Sequence, residues 1–142
     1  MKIGIASDHA GYKQKEKIKK YLSNYEVIDF GTDSALVSVD YPDYAHKLCN
    51  AINNKEVDVG IAICKTGIGM SIACNKVKGI RCAKPNNAKE MKLSRMDNDS
   101  NVVAFSADIS MFSVKRILKA FLNTPFSNLE RHIRRIGKLE WI

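Results

Sequence analysis

Cys64 closes the apolar run Val59 to Ile63 and is followed by Lys65, Thr66, Gly67, Ile68 and Gly69, after which Met70, Ile72 and Ala73 begin a helical pattern. The stretch reads as a strand, a tight polar loop and a helix. Backbone N–H groups at a helix start have no partner within the helix and lie at the positive end of its dipole, which makes the loop an anion site. A thiol at the strand's end, beside that positive end and beside Lys65, is biased toward the thiolate. A thiolate facing a ring of N–H donors can move a proton while the donors hold the oxyanion that forms. A plain strand-to-helix turn around a buried cysteine would use the same residues, since Gly-x-Gly is a weak signal and free cysteine is often core.

Other groups with usable chemistry are scattered. His9 follows Asp8 directly after the apolar run Ile3 to Ala6; an imidazole there suits a phosphate contact, proton transfer or simply a surface loop. Arg131 and Arg135 are four residues apart and share one face of a helix. Paired guanidinium forks suit a phosphate, although a solvated basic helix shows the same spacing. His46 reads as a surface residue, and His132 is ambiguous. No His, Cys, Asp or Glu cluster has metal-ligand spacing and no Ser-His-Asp signature appears, so neither a metal nor any other cofactor is expected.

These groups must be positioned by a chain of 142 residues, a length that suits one domain over 1–142 with a core of its own. The cysteines at 49, 64, 74 and 82 form no CxxC pair. Together with an apolar N-terminal run too short for a leader or a membrane span, they suggest a reducing cytoplasm. The formal net charge is +8, which fits nucleic acid, a membrane surface or small phosphorylated ligands. No nucleic-acid motif and no aromatic stacking platform is present. Lys13, Lys15, Lys17, Lys19 and Lys20 read as the solvated face of the first helix.

Strands are expected at Lys2 to Ala6, Tyr25 to Phe30, Val57 to Ile63, Gly79 to Ala83 and Asn101 to Phe105. Helices are expected over Tyr12 to Leu22, from Asp40-Tyr41-Pro42 through Ile52, from Met70, over Ala88 to Met96, over Ser110 to Leu122 and over Asn128 to Leu139. Strand and helix alternate as in right-handed parallel crossovers. The fold class is therefore α/β: a doubly wound five-stranded parallel sheet with helices on both faces, Rossmann-like with the flavodoxin-like order 2-1-3-4-5, and a C-terminal helix. In such sheets ligands bind outside the carboxyl ends of the strands. That rule gathers Asp8 and His9, Cys64 to Gly69 and the segment after the fourth strand on one rim.

The stretches GIASDHAGYKQKE, DYPDYA, ICKTGIGMSIACNK with KGIR, LSRMDNDSNVVAF and ERHIRR run in order over nearly the whole chain. Together they resemble the ribose-5-phosphate isomerase B family, which also contains the galactose-6-phosphate isomerase subunits. The resemblance implies metal-free interconversion of an aldose phosphate and a ketose phosphate, such as ribose 5-phosphate and ribulose 5-phosphate. It implies Cys64 as the base between C1 and C2, with Thr66 and the amides around Gly67 to Gly69 holding the enediolate and Ser71 nearby. Asp8 and Tyr41 would contact sugar hydroxyls, His9, Arg131 and Arg135 would hold the phosphate, and Asn98 would reach the reacting end. The resemblance further implies a homodimer with the site between subunits, possibly assembled into a tetramer.

The chain departs from the family pattern at several positions. The family's ring-opening histidine is Asp97 here, the basic residue that often follows the fifth strand is Asp108, and the glycine after the cysteine is Lys65. A carboxylate ordinarily ionises near pH 4, so Asp97 is expected to accept a proton rather than donate one, and the form used to be mainly the open-chain sugar or a substrate that cannot cyclise well. Asp108 would repel a phosphate, and Lys65 is the charge gained beside it. Three readings follow: an active isomerase, a non-catalytic phosphosugar-binding or regulatory protein on the same scaffold, or a small basic nucleic-acid-binding domain, whose affinity would fall steeply with salt.

Overall fold

The computed structural model describes residues 1–140. In chain order the elements are β1 (Lys2–Ser7), α1 (Tyr12–Tyr21), β2 (Glu26–Asp29), α2 (Tyr41–Asn53), β3 (Val59–Cys64), α3 (Ile68–Asn75), β4 (Cys82–Ala83), α4 (Ala88–Asn98), β5 (Val102–Ser106), α5 (Met111–Asn123) and α6 (Glu130–Leu139). The strands form one sheet in which every pairing is parallel.

Alternation along the strands divides the core into two layers. Ile3, Ile5, Ile61, Ile63, Val103 and Phe105 pack against Ile18 of α1 and Val114, Ile117, Leu118 and Phe121 of α5. The opposite face carries Ala6, Ala62, Cys64 and Ala104, which meet Ala45, Leu48 and Cys49 of α2 and Met70, Ala73 and Cys74 of α3. Small strand residues let these helices come close. A Cβ at Gly4 would lie 2.5 Å from Leu48 Cδ1, and one at Gly60 would lie 3.0 Å from Ile52 Cδ1. Cys64 thus sits at the end of a strand whose flank is clamped under α2 and α3.

The sheet order is β2-β1-β3-β5-β4, not the expected 2-1-3-4-5. The reason lies in the strands themselves. Val102, Val103, Ala104 and Phe105 are buried, as an interior strand requires, and β5 therefore pairs with β3. The fourth strand has only Cys82 and Ala83, both half-buried, which suits an edge. Residues 79–81 lie outside it, since the Arg81 N–H donates to the Asn101 side chain instead of a strand partner.

Other differences are local. Asn128 has φ +55, so it cannot belong to a right-handed helix, and α6 starts at Glu130. The fourth helix runs past Met96 to Asn98 and stops where Asp99 turns left-handed, with φ 46. Lys15 departs from the solvated face expected of α1. It is fully buried, its Nζ 2.5 Å from Asp29 Oδ2 at the end of β2 and 3.3 Å from Glu16 Oε1. Its neighbour Lys19 reaches the same two carboxylates.

Candidate active site

The β3–α3 loop is shaped by its glycines. Gly67 caps α3 at φ +76, and a Cβ there would lie 2.8 Å from the Phe105 carbonyl carbon, so the loop rests directly on the backbone of β5. This turn aims the Gly67 N–H at Cys64 Sγ, 3.2 Å away, with the sulfur accepting. Cys64 itself is nearly buried. Thr66 is exposed, and its Oγ1 accepts from the Ile68 N–H at 3.1 Å, fixing its side chain over the helix start. Gly69 leaves room for Tyr41: a Cβ at Gly69 would lie 2.7 Å from the Tyr41 Cζ. The phenol of α2 therefore lies against the first turn of α3.

The β1–α1 loop comes to the same rim. The Asp8 N–H donates to the Ile63 carbonyl oxygen, and Gly11 packs so closely on Ile63 that a Cβ would lie 2.8 Å from that oxygen. Asp8 is buried, with Oδ1 accepting from the Gly11 N–H at 3.0 Å. His9 is oriented by the Val39 N–H, which donates to its Nδ1 at 3.1 Å. Asp8, His9, Tyr41 and Cys64 to Gly69 are thus gathered on one rim, at the carboxyl ends of β1 and β3.

The remaining candidates form a second group. Asp97 and Asn98 occupy the last turn of α4, where the Asn98 carbonyl oxygen accepts from Arg81 Nε at 2.8 Å. Asn98 and Ser71 line a cavity of about 770 Å³ together with Ile72, Arg81 and Glu140. Arg131 and Arg135 are exposed on α6, which packs on α4. Among the described residues, no ion pair links either arginine to the Cys64 loop. Lys65 turns to Asp108, Nζ to Oδ2 at 2.8 Å. The carboxylate expected to repel a phosphate is therefore paired with the lysine gained beside it.

One residue left ambiguous by the sequence becomes informative here. His132 is the buried residue of α6, and its Nε2 lies 3.5 Å from Asp97 Oδ1. The signal was its helical position, three residues after Leu129 and four before Ile136, inside the apolar stripe of a basic helix. His46, read as surface, is exposed on α2. Among the described residues, no group of three or more His, Cys, Asp or Glu side chains is placed to hold a metal ion, and no helix is long and apolar enough to cross a membrane.

The family model Ribose/Galactose Isomerase matches residues 3–139. The chain belongs to this family. It is 42% identical to the ribose-5-phosphate isomerase B of Escherichia coli K12 over 141 residues, covering 95% of this chain and 91% of that one. Its fold is also similar to solved structures. The ribose-5-phosphate isomerase B of Clostridium thermocellum superposes with a TM-score of 0.95 at 44% identity, over 99% of this chain and 96% of that one. The ribose 5-phosphate isomerase of Thermotoga maritima gives a TM-score of 0.95 at 44% identity, over 99% and 98%. The chain is a sugar phosphate isomerase of the ribose-5-phosphate isomerase B type.

Proposed function

We propose that this isomerase interconverts ribose 5-phosphate and ribulose 5-phosphate, or a closely related pentose or hexose phosphate, through an enediolate, with Cys64 moving the proton between C1 and C2. The observation that carries this reading is the Cys64 sulfur held 3.2 Å from the Gly67 N–H at the start of α3. A base and a helix-end donor are thus set side by side, and a carbon acid needs both. The base removes the proton, and oriented N–H groups hold the oxyanion without reorganising. Thr66 and Ser71 flank the reacting end, Asp8 and Tyr41 meet hydroxyls, and His9, Arg131 and Arg135 take the phosphate.

The phosphate ligands stand in two groups, and a second copy of the chain would unite them. Exposed apolar side chains support this: Ile68 and Ile72 on α3 are 54% and 57% exposed, and Ile133 and Leu139 on α6 are 52% and 59% exposed. Burial of such a surface drives association. In the proposed homodimer, α6 of one subunit brings Arg131, Arg135 and their phosphate charge toward the Cys64 loop of the other.

Solvent exchange tests the chemistry. Ribulose 5-phosphate in deuterium oxide should gain deuterium at C1 in the presence of the protein, and Cys64→Ala should lower that rate by at least ~10²-fold with little loss of affinity. A protein that binds the phosphosugar but catalyses no exchange would be a binding protein on the same scaffold. Near-normal exchange by Cys64→Ala would remove this cysteine as the base.

A further inference from the structure

We propose that Cys74 and Cys82 are a hydroperoxide-responsive dithiol that closes into a disulfide between α3 and β4, apart from the chemistry of Cys64. The four cysteines are free thiols on four different elements: Cys49 on α2, Cys64 at the end of β3, Cys74 on α3 and Cys82 on β4. Folding gathers them on one side of the sheet. Cys49, Cys64 and Cys74 belong to one buried cluster, and Cys82 packs against it. The Cys64 sulfur lies at the first turn of α3, where it accepts from the Gly67 N–H, whereas Cys74 lies in the last turn.

Asn75 sets the spacing of the pair. Its Nδ2 donates to the Cys82 carbonyl oxygen at 2.9 Å, and its Oδ1 accepts from the Cys82 N–H at 2.8 Å. The residue next to Cys74 thus holds the backbone of Cys82 at two points, and the thiols of Cys49 and Cys82 become the immediate polar neighbours of the Cys74 thiol. Cys49 draws the pKa of Cys74 down, but Cys82 and burial outweigh it and hold Cys74 above its ordinary value. Cys74 and burial likewise hold Cys49 above its own.

Access decides which thiol meets an oxidant. Cys49 and Cys74 are fully buried. Cys82 is half-buried and lines the cavity of about 770 Å³ that also reaches Asn75. A small peroxide therefore meets Cys82 first, and Cys74 stands behind it as the resolving thiol. β4 has only two residues and pairs with β5 alone, so closing the sulfur–sulfur bond shifts an edge strand and not the centre of the sheet.

The step is a two-electron oxidation by hydrogen peroxide. The Cys82 thiolate attacks one peroxide oxygen and the O–O bond breaks. Cys82 becomes a sulfenic acid, and the departing hydroxide takes up the proton that the thiol had released, giving water. The Cys74 sulfur then attacks the sulfenic sulfur. The S–O bond breaks, the S–S bond forms, and the Cys74 proton leaves with the hydroxyl as a second water. Two thiols are oxidised, and one peroxide is reduced to two waters.

Peptide mapping tests the pair. The reduced protein is treated with hydrogen peroxide, blocked with iodoacetamide and mapped by mass spectrometry without reduction. A linked Cys74–Cys82 peptide that dithiothreitol removes is expected. Cys82→Ser should lose the linkage entirely, and Cys74→Ser should leave a Cys82 sulfenic acid that dimedone traps. The Cys82 variant, at a half-buried edge position, keeps the test valid should the buried Cys74 variant fold poorly. Cys64→Ala should keep the linkage, and its loss there would route the oxidation through Cys64 and overturn the proposal. Wild-type protein in which Cys82 stays a thiol, or is oxidised without joining Cys74, would overturn it too. A linkage that forms only in urea would do the same, because it would belong to the unfolded chain.

Discussion

Lys65 Nζ lies 2.8 Å from Asp108 Oδ2, with both side chains 69% exposed. The pair joins the loop after β3 to the loop after β5, alongside the Ala107 N–H to the Cys64 carbonyl and the Ser106 hydroxyl to the Lys65 carbonyl. An exposed ion pair stabilises by at most about 1 kcal/mol. Its consequence is charge placement: each member cancels the other at the rim where an anion would arrive.

Removing Asp108 should therefore release a cation. Asp108→Ala is expected to strengthen inorganic phosphate binding, and the Lys65→Ala/Asp108→Ala double variant to lose that gain. Calorimetric titration with inorganic phosphate reads both. If the double variant keeps the strengthened binding, Lys65 does not serve the anion site.

Gly67 should tolerate no side chain. Its left-handed backbone costs a β-carbon about 1–2 kcal/mol, and contact with the Phe105 backbone, which cannot swing aside, adds roughly 1–3 kcal/mol. Gly67→Ala should lower stability in urea accordingly. The contrasting change is Gly137→Ala on α6, where a Cβ meets nothing within 4 Å. It should be neutral or stabilising by up to about 1 kcal/mol. Equal effects at the two positions would mean that the β3–α3 loop is less constrained than its geometry implies.

The buried Lys15 makes stability depend on pH in the acid range. Burial opposes ionisation of Asp29, yet hydrogen bonds from Lys15, Lys19 and the Gly31 N–H outweigh it and hold the carboxyl below its ordinary value. The hydrogen bond from Lys19 is the largest influence lowering Glu16. A carboxyl depressed in the folded state contributes stability above its unfolded value, near 4, and loses it as pH falls through the folded value. Stability should thus decline from about pH 4 downward. Asp29→Asn should flatten that decline. It should also cost about 3 kcal/mol at neutral pH, since it leaves the buried lysine short of its main partner. Urea melts from pH 2 to 7, a range spanning the carboxylate values, would show an unaltered acid slope if Asp29 is not responsible.

The proposed two-chain site makes a prediction that neither chain can meet alone. The Cys64→Ala and Arg131→Ala proteins are each expected to be impaired in C1 exchange. Mixed under conditions of subunit exchange, they should regain activity, because one of the two sites in a heterodimer then holds both native residues. No recovery after demonstrated exchange would place Cys64 and Arg131 of one chain in the same site.

Much of the geometry around Cys64 was legible because it is local in sequence. Cys64, Thr66, Gly67 and Gly69 fall within one strand–loop–helix turn, and their mutual geometry follows from short-range backbone rules. The rim residues Asp8 and His9 follow the first strand, and alternating strands and helices brought them beside Cys64 without knowledge of the sheet order. Less legible were features that depend on which long side chain reaches which partner. The lysines of α1 look alike in sequence, but only the position of Asp29 at the end of β2 selects Lys15 for burial.

The sequence alone determined the parallel α/β class, the Cys64 loop and its helix-end donors, because periodicity, glycine placement and helix polarity act over a few residues. The tertiary structure decided the order of the last two strands, since burial on both faces drew Val102 to Phe105 inward and left Cys82 and Ala83 at the edge. It also decided the pairings of Lys65 with Asp108 and of Asp97 with His132. Those partners lie tens of residues apart in the chain. Only packing the strand-end loops together, and α6 against α4, could bring the charges within reach of each other.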